Sequence, residues 1–253
     1  MDRISKLPVG VIESILCLLP IQEAARTSIL SKEWSVWTHK TTLHRLLSSC
    51  PLLKRLTLGH GMTILHDGAS STIVDLFECL PVIECLYVLV YRVEYFLPKR
   101  LPKKLPTPLV HLKYLCVDTL CFTHIYGLPF LALLIRSSPN LEKLELVMWE
   151  ETFFDEDDVG SFTLDDYSDI MLEHLEEFEI QDFTDSENEL DFVRLILAKS
   201  PVLKKMTISP HYFFDKDEES VSQVSEILFC SPCASPVVEI IVGPYKSDYS
   251  CPW

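Results

Sequence analysis

Ser138-Pro-Asn-Leu-Glu-Lys-Leu-Glu-Leu146 is a phrase that this chain repeats. Cys50-Pro-Leu-Leu-Lys-Arg-Leu-Thr-Leu58, Leu80-Pro-Val-Ile-Glu-Cys-Leu-Tyr-Val88 and Ser200-Pro-Val-Leu-Lys-Lys-Met-Thr-Ile208 are three further copies. Leu109-Val-His-Leu-Lys-Tyr-Leu-Cys-Val117 and Leu172-Glu-His-Leu-Glu-Glu-Phe-Glu-Ile180 lack the proline but keep the rest. Ser235-Pro-Val-Val-Glu-Ile-Ile-Val242 is a weaker seventh copy. The shared skeleton is an apolar anchor, two polar residues, an apolar residue, one variable residue and a last apolar residue.

The anchors are Leu53, Ile83, Leu112, Leu141, Leu175, Leu203 and Val238, about thirty residues apart. A fixed period of that size is the signature of a stacked repeat. The alternating close of each phrase (Leu144, Glu145, Leu146) reads as a short strand. A single unit cannot bury its own apolar face, so the units must stack. The spacing resembles the longer, irregular form of the leucine-rich repeat. The expected architecture is α/β, a repeat solenoid with a parallel sheet of about seven strands.

Outside the phrases, residues 4–37 follow a helical pattern. Pro8 suits a first helical turn, and Val11, Ile12, Ile15, Leu16, Leu18 and Leu19 recur at steps of three and four. Pro20 ends that helix, Ile21 to Thr27 fits a second, and Ser31 is placed to cap a third. Helical stretches are also expected at 42–49, 71–79, 190–199 and from Asp215 onward. Pro98-Lys-Arg-Leu-Pro-Lys-Lys-Leu-Pro-Thr-Pro108 cannot form a regular helix and reads as an exposed basic loop.

The net charge is −15, carried by the second half of the chain. Nearly half of the 37 acidic residues fall within 150–191, a stretch with no Lys or Arg. Repeat proteins place insertions in loops, so 150–167 is expected to be an exposed acidic insertion. This charge argues against binding a nucleic-acid backbone. Asp155 to Asp166 superficially fits a calcium loop, but Val159 offers no side-chain oxygen where one is needed. No metal or cofactor is expected. The nine cysteines read as reduced thiols; Cys230 and Cys233 have metal or redox spacing without a second pair. Gly59-His-Gly61 is too short for a phosphate loop, and no Gly-x-Ser-x-Gly elbow occurs. No apolar run reaches bilayer length and the N-terminus lacks a cleavage-site pattern, so an intracellular protein of nucleus or cytoplasm, off the membrane, is expected.

Ile4-Ser-Lys-Leu7-Pro8, Ile12-Glu-Ser-Ile15-Leu16, Leu19-Pro20-Ile21, Ala24-Ala25-Arg26-Thr27 and Leu30-Ser31-Lys32-Glu33-Trp34, in that order, resemble an F-box. With Leu105 to Leu115 and Glu187 to Pro201, the chain is similar to plant F-box/leucine-rich-repeat proteins ending in an FBD segment. The resemblance divides it into an F-box over 1–40, repeats over 41–170 and an FBD segment over 171–253 that continues the array. It implies a non-catalytic substrate-recognition subunit of a Skp-cullin-F-box (SCF) ubiquitin ligase. Such a subunit acts by holding a target close to the transfer machinery. It further implies that Leu7, Pro8, Ile12, Ile15, Leu16, Leu19, Pro20, Ile21, Leu30 and Trp34 grip a Skp-type adaptor and, through it, a cullin. The same residues also suit the core of the small helical unit.

The variable residue of each phrase points away from the core by period two. Thr57, Tyr87, Cys116, Glu145, Glu179 and Thr207 are therefore the candidates for holding a protein target, and the two glutamates favour a basic one. Only fifteen residues separate Trp37 from Leu53, fewer than similar proteins carry. That leaves a second reading, a repeat scaffold whose F-box is degenerate and has no ligase role.

Overall fold

A computed structural model of the chain describes residues 47, 52–58, 73–90, 97–98, 100–122, 124, 126–149, 167–211, 226, 228 and 231–243. The ten adaptor-gripping positions, the acidic stretch 150–166 and Cys230 lie outside those residues. The architecture is α/β. Seven strands form one sheet: β1 (Arg55–Leu58), β2 (Cys85–Leu89), β3 (Tyr114–Leu120), β4 (Lys143–Met148), β5 (Glu177–Phe183), β6 (Lys205–Pro210) and β7 (Glu239–Val242). They lie in sequence order, and every neighbouring pair is parallel. Three helices of the described residues occupy connections: α1 (Ile73–Glu78), α2 (Gly127–Ser137) and α3 (Glu187–Lys199).

Five of the phrases begin with a tight turn. The anchor amide donates to the carbonyl three residues earlier: Ile83 to Leu80, Leu112 to Leu109, Leu141 to Ser138, Leu175 to Leu172 and Leu203 to Ser200, at 3.1–3.3 Å. Proline presets φ for the second residue of such a turn, which accounts for Pro81, Pro139 and Pro201. Val110 and Glu173 stand at the same place in the two copies that turn without proline. After the turn, consecutive amides lock onto the preceding unit. Glu84 and Cys85 both donate to Lys54, Lys113 and Tyr114 to Glu84, Glu142 and Lys143 to Lys113, Glu176 and Glu177 to Glu142, and Lys204 and Lys205 to Glu176. The repeat is thus a hydrogen-bonding repeat as well as a hydrophobic one.

The anchors from Ile83 to Leu203 are buried. Leu86, Leu115, Leu144, Phe178 and Met206 form one inner row in register, and Val88, Val117, Leu146, Ile180 and Ile208 form the next. All ten are buried, each worth roughly 1.5–3 kcal/mol for an apolar side chain removed from water. Phe192 on α3 seals the middle of the array. Its ring lies 5.0 Å from that of Phe122 and 6.4 Å from that of Phe178, centroid to centroid.

Helix α2 has no counterpart in the sequence reading. Leu128 and Phe130 to Ile135 are all buried, so the helix is apolar on every side and shows no stripe. The loop at 98–108 is irregular and mostly exposed, as its prolines dictate. Leu105 is its buried peg. The seventh unit departs from its phrase by one residue: Glu239 pairs with Lys205, where phrase alignment would place it beside Lys204.

Two strands contain bulges. In β3 the register shifts between Val117 and Leu120, and in β5 between Gln181 and Phe183. Thr119 (φ 57°) and Asp182 (φ 55°) sit at those shifts in the left-handed region. An extra residue reverses the side-chain alternation. It turns Leu120 and Phe183 into the core, where plain alternation would have placed Thr119 and Asp182.

Candidate functional site

The face of the sheet opposite the core carries the variable residues. Thr57 pairs with Tyr87, Tyr87 with Cys116, Cys116 with Glu145, Glu145 with Glu179, and Glu179 with Thr207. All six residues singled out from the sequence therefore stand side by side in one row across six strands, and Ile241 of β7 extends it. Thr57 is exposed, and Tyr87, Glu145, Glu179 and Thr207 are half-buried. Cys116 keeps its place in the row but not its expected accessibility, being only 3% exposed. Tyr87 stands beside it across the strands, and Tyr114 two residues before it.

Period two also places the residues two positions before and after each variable residue on this face. The sequence reading did not extend the row to them. Arg55, Cys85, Tyr114, Lys143, Glu177, Lys205 and Glu239 make up the row before. Val147, Gln181 and Ser209 belong to the row after, with Leu89 and Asp118 paired at its other end.

The polar groups of this face are tied together. The Tyr87 hydroxyl donates to the Asp118 carboxylate, and the Tyr114 hydroxyl to that of Glu145. The Lys143 ammonium lies 2.6 Å from Glu145 Oε1, 3.7 Å from Glu177 Oε2 and 5.5 Å from the centre of the Tyr114 ring. Gln181 Nε2 donates to Glu179 Oε1 at 3.0 Å. Burial pulls the Lys143 ammonium toward its neutral form, yet Glu145, Glu177 and Glu179 hold its pKa above the ordinary lysine value. Burial and the hydrogen bond to Glu145 push the Tyr114 phenol well above the usual tyrosine range. Three carboxylates thus keep the Lys143 cation charged, while burial first and Glu145 second keep the Tyr114 phenol neutral.

Along the sheet edge where the strands begin, exposed ion pairs join neighbouring units. Lys54 meets Glu84 at 2.7 Å, Lys113 meets Glu142 at 2.8 Å and Lys204 meets Glu176 at 2.6 Å. Such pairs contribute about 0–1 kcal/mol each. Their alternation breaks at β4 and β5, where Glu142 and Glu176 adjoin. On the helical side, Arg136 of α2 forks onto Asp169 and lies 5.4 Å from the centre of the Tyr167 ring, fastening the segment that leads into β5. His111 and His174 are exposed at the same place in their turns. No helix of the described residues is long and apolar enough to cross a membrane. The arrangement offers hydrogen bonds, charge and aromatic surface for holding a partner.

The FBD family model matches residues 170–208, which run from the turn before β5 through α3 to β6. An F-box/FBD/LRR-repeat protein of Arabidopsis thaliana is 29% identical over 181 residues, covering 71% of this chain and 43% of the relative. A second from Arabidopsis thaliana is 37% identical over 75 residues, covering 26% of this chain and 18% of the relative. A third is 48% identical over 50 residues, covering 19% and 12%. The chain thus spans less than half the length of the curated relatives it matches. No solved structure matches it. With an FBD segment built on two of the seven strands, and relatives that share one three-part description, the chain is similar to plant F-box/FBD/LRR-repeat proteins.

Proposed function

We propose that this chain is the target-recognition subunit of an SCF-type ubiquitin ligase, with residues 1–40 docking on a Skp-type adaptor and the outer sheet face holding a protein target. The reading is carried by the similarity to F-box/FBD/LRR-repeat proteins over 71% of the chain. Two features support it. Leu7-Pro8, Ile12, Ile15-Leu16, Leu19-Pro20-Ile21, Leu30 and Trp34 keep the order of an F-box, and apolar groups concentrated in so small a unit need a covering partner. The row from Thr57 to Thr207 offers a continuous polar and aromatic surface of the kind that repeat proteins use for binding. The role calls for proximity, without a catalytic residue in this chain.

Co-expression with a Skp-type adaptor tests the proposal. The wild type is expected to co-purify with the adaptor, and a Leu7→Ala, Pro8→Ala double variant to lose it while its sheet stays folded. Failure of the wild type to capture the adaptor would favour the second reading, a repeat scaffold with a degenerate F-box, which the short junction between Trp37 and Leu53 supports.

A further inference from the structure

The proline-rich loop 98–108 exposes three cations close together, Arg100, Lys103 and Lys104. Among the described residues, none of them has a hydrogen bond or an ion pair. Elsewhere carboxylates have taken up the cations: Lys54, Lys113, Lys143, Lys204, Arg136 and Arg194 each meet one. The loop is not free to fold away in search of such a partner. Pro98, Pro102, Pro106 and Pro108 fix their own φ, and Leu105 is buried. Ser137 receives the Leu105 amide on its Oγ at 2.8 Å and the Leu109 amide on its carbonyl at 2.7 Å. Charges displayed on a backbone already held cost little further ordering when a partner docks.

We infer that this loop is a docking surface for an acidic segment of a partner protein, whose carboxylates meet Arg100, Lys103 and Lys104. Neither the outer row nor the ligase role is needed for it. Charge complementarity names the occupant. The chain carries a net charge of −15, so a carboxylate-rich segment finds few places on it that attract. At cellular salt a charge acts over about 8 Å, so three cations held together decide locally against the distant excess of acid. One carboxylate of the chain already responds to the loop. The Arg136 guanidinium holds the Asp169 carboxyl below the usual range, and Lys103 adds to that pull. Apolar contact is on offer as well. Val110, two residues past the loop, and Met171, two residues past Asp169, are 43% and 56% exposed. A segment with leucines among its acids fits this combination of charge and apolar surface.

Fluorescence anisotropy with the full chain tests the inference, using a synthetic peptide of aspartate, glutamate and leucine and a counterpart with asparagine and glutamine in place of the acids. The acidic peptide is expected to bind and to weaken with added salt, and the amide peptide to stay unbound. An Arg100→Gln, Lys103→Gln, Lys104→Gln variant should bind the acidic peptide about tenfold more weakly, and Lys103→Gln alone about threefold. Lys103→Arg with Lys104→Arg, which keeps the charge, should bind as the wild type does. Lys205→Gln, which removes an exposed cation from β6, should leave binding unchanged. Urea midpoints of the variants, expected to match the wild type, show that the fold is kept. Equal binding of both peptides, salt-independent binding by the wild type, or a loop variant no weaker than Lys205→Gln would overturn the inference. So would binding that appears only after the carboxylates of 150–166 are replaced by amides, which would make this chain's own acidic stretch the occupant.

Discussion

Ser137, at the end of α2, receives the amide hydrogen of Leu105 on its Oγ at 2.8 Å across thirty-two residues of sequence. The same hydroxyl donates to the Leu133 carbonyl at 2.7 Å, and the Ser137 carbonyl accepts from Leu109 at 2.7 Å. One buried serine therefore pins both ends of the last turn of the proline-rich loop. Ser137→Ala would strand the Leu105 amide away from water, at a cost of about 1–3 kcal/mol. The expected outcome is a lower urea midpoint and faster proteolytic cutting between residues 98 and 108. An unchanged midpoint would mean that the amide finds another acceptor.

The bulge residues carry a different kind of cost. Thr119 holds a left-handed backbone that a β-branched residue adopts only under strain, whereas aspartate at 182 tolerates it better. Thr119→Gly should relieve about 1–2 kcal/mol of folded-state strain. Part of that gain is offset by the extra freedom of glycine in the unfolded chain. A net gain of about 0.5–1 kcal/mol is expected, with a smaller change for Asp182→Gly. Thermal unfolding of the two variants side by side checks the order. A destabilised Thr119→Gly would mean that the threonine hydroxyl, which donates to the Asp118 carbonyl at 2.6 Å, outweighs the strain.

The repeat was readable because each phrase states the same physics. An anchor, a turn and two alternating apolar residues fix which side faces in, and register then follows from stacking like upon like. The candidate row from Thr57 to Thr207 was legible for the same reason. What escaped lacks a local signal. Helix α2 is apolar all round, so no period marks it. Thr119 and Asp182 are not glycines, and nothing in their neighbours announces a reversed alternation. The burial of Cys116 is set by its surroundings on the sheet, where its neighbour in register, Tyr87, comes from another strand. The importance of Lys143 appears only when strands β3 to β5 are set side by side.

Acid should loosen the contact between α2 and the entry to β5. The Arg136 guanidinium holds the Asp169 carboxyl below the usual carboxylate range. Folding then favours the ionised form. That contribution is present above the ordinary aspartate pKa of about 4, and it fades as pH falls through the lowered folded value. Asp169→Asn should be less stable than the wild type at neutral pH, with the gap closing in acid. Glu84, lowered by Lys54, acts in the same direction and leaves the variant a residual slope. Urea midpoints measured from pH 7 downward decide the matter. A gap that stays constant with pH would show that Asp169 contributes shape and not charge.

Base should act on the outer face through Tyr114. Burial, then the hydrogen bond to Glu145, raises its phenol above the ordinary value, so the folded chain favours the neutral form. The sign is opposite to that of Asp169. The contribution is fully present below the ordinary tyrosine pKa of about 10 and is lost as pH rises toward the folded value. Lys143, whose pKa is also raised, gives up its charge in the same direction. Tyr114→Phe removes a donor from Glu145, which keeps its 2.6 Å contact with Lys143. At neutral pH the cost should be about 1 kcal/mol. Above pH 10 the wild type should lose stability more steeply than the variant, so that the two curves converge. Spectrophotometric titration of the phenols gives an independent reading. The wild type should contain one more phenol that resists ionisation until the fold opens. Were Tyr114 to titrate with the exposed tyrosines, its hydroxyl would be open to solvent and its bond to Glu145 would have to be abandoned.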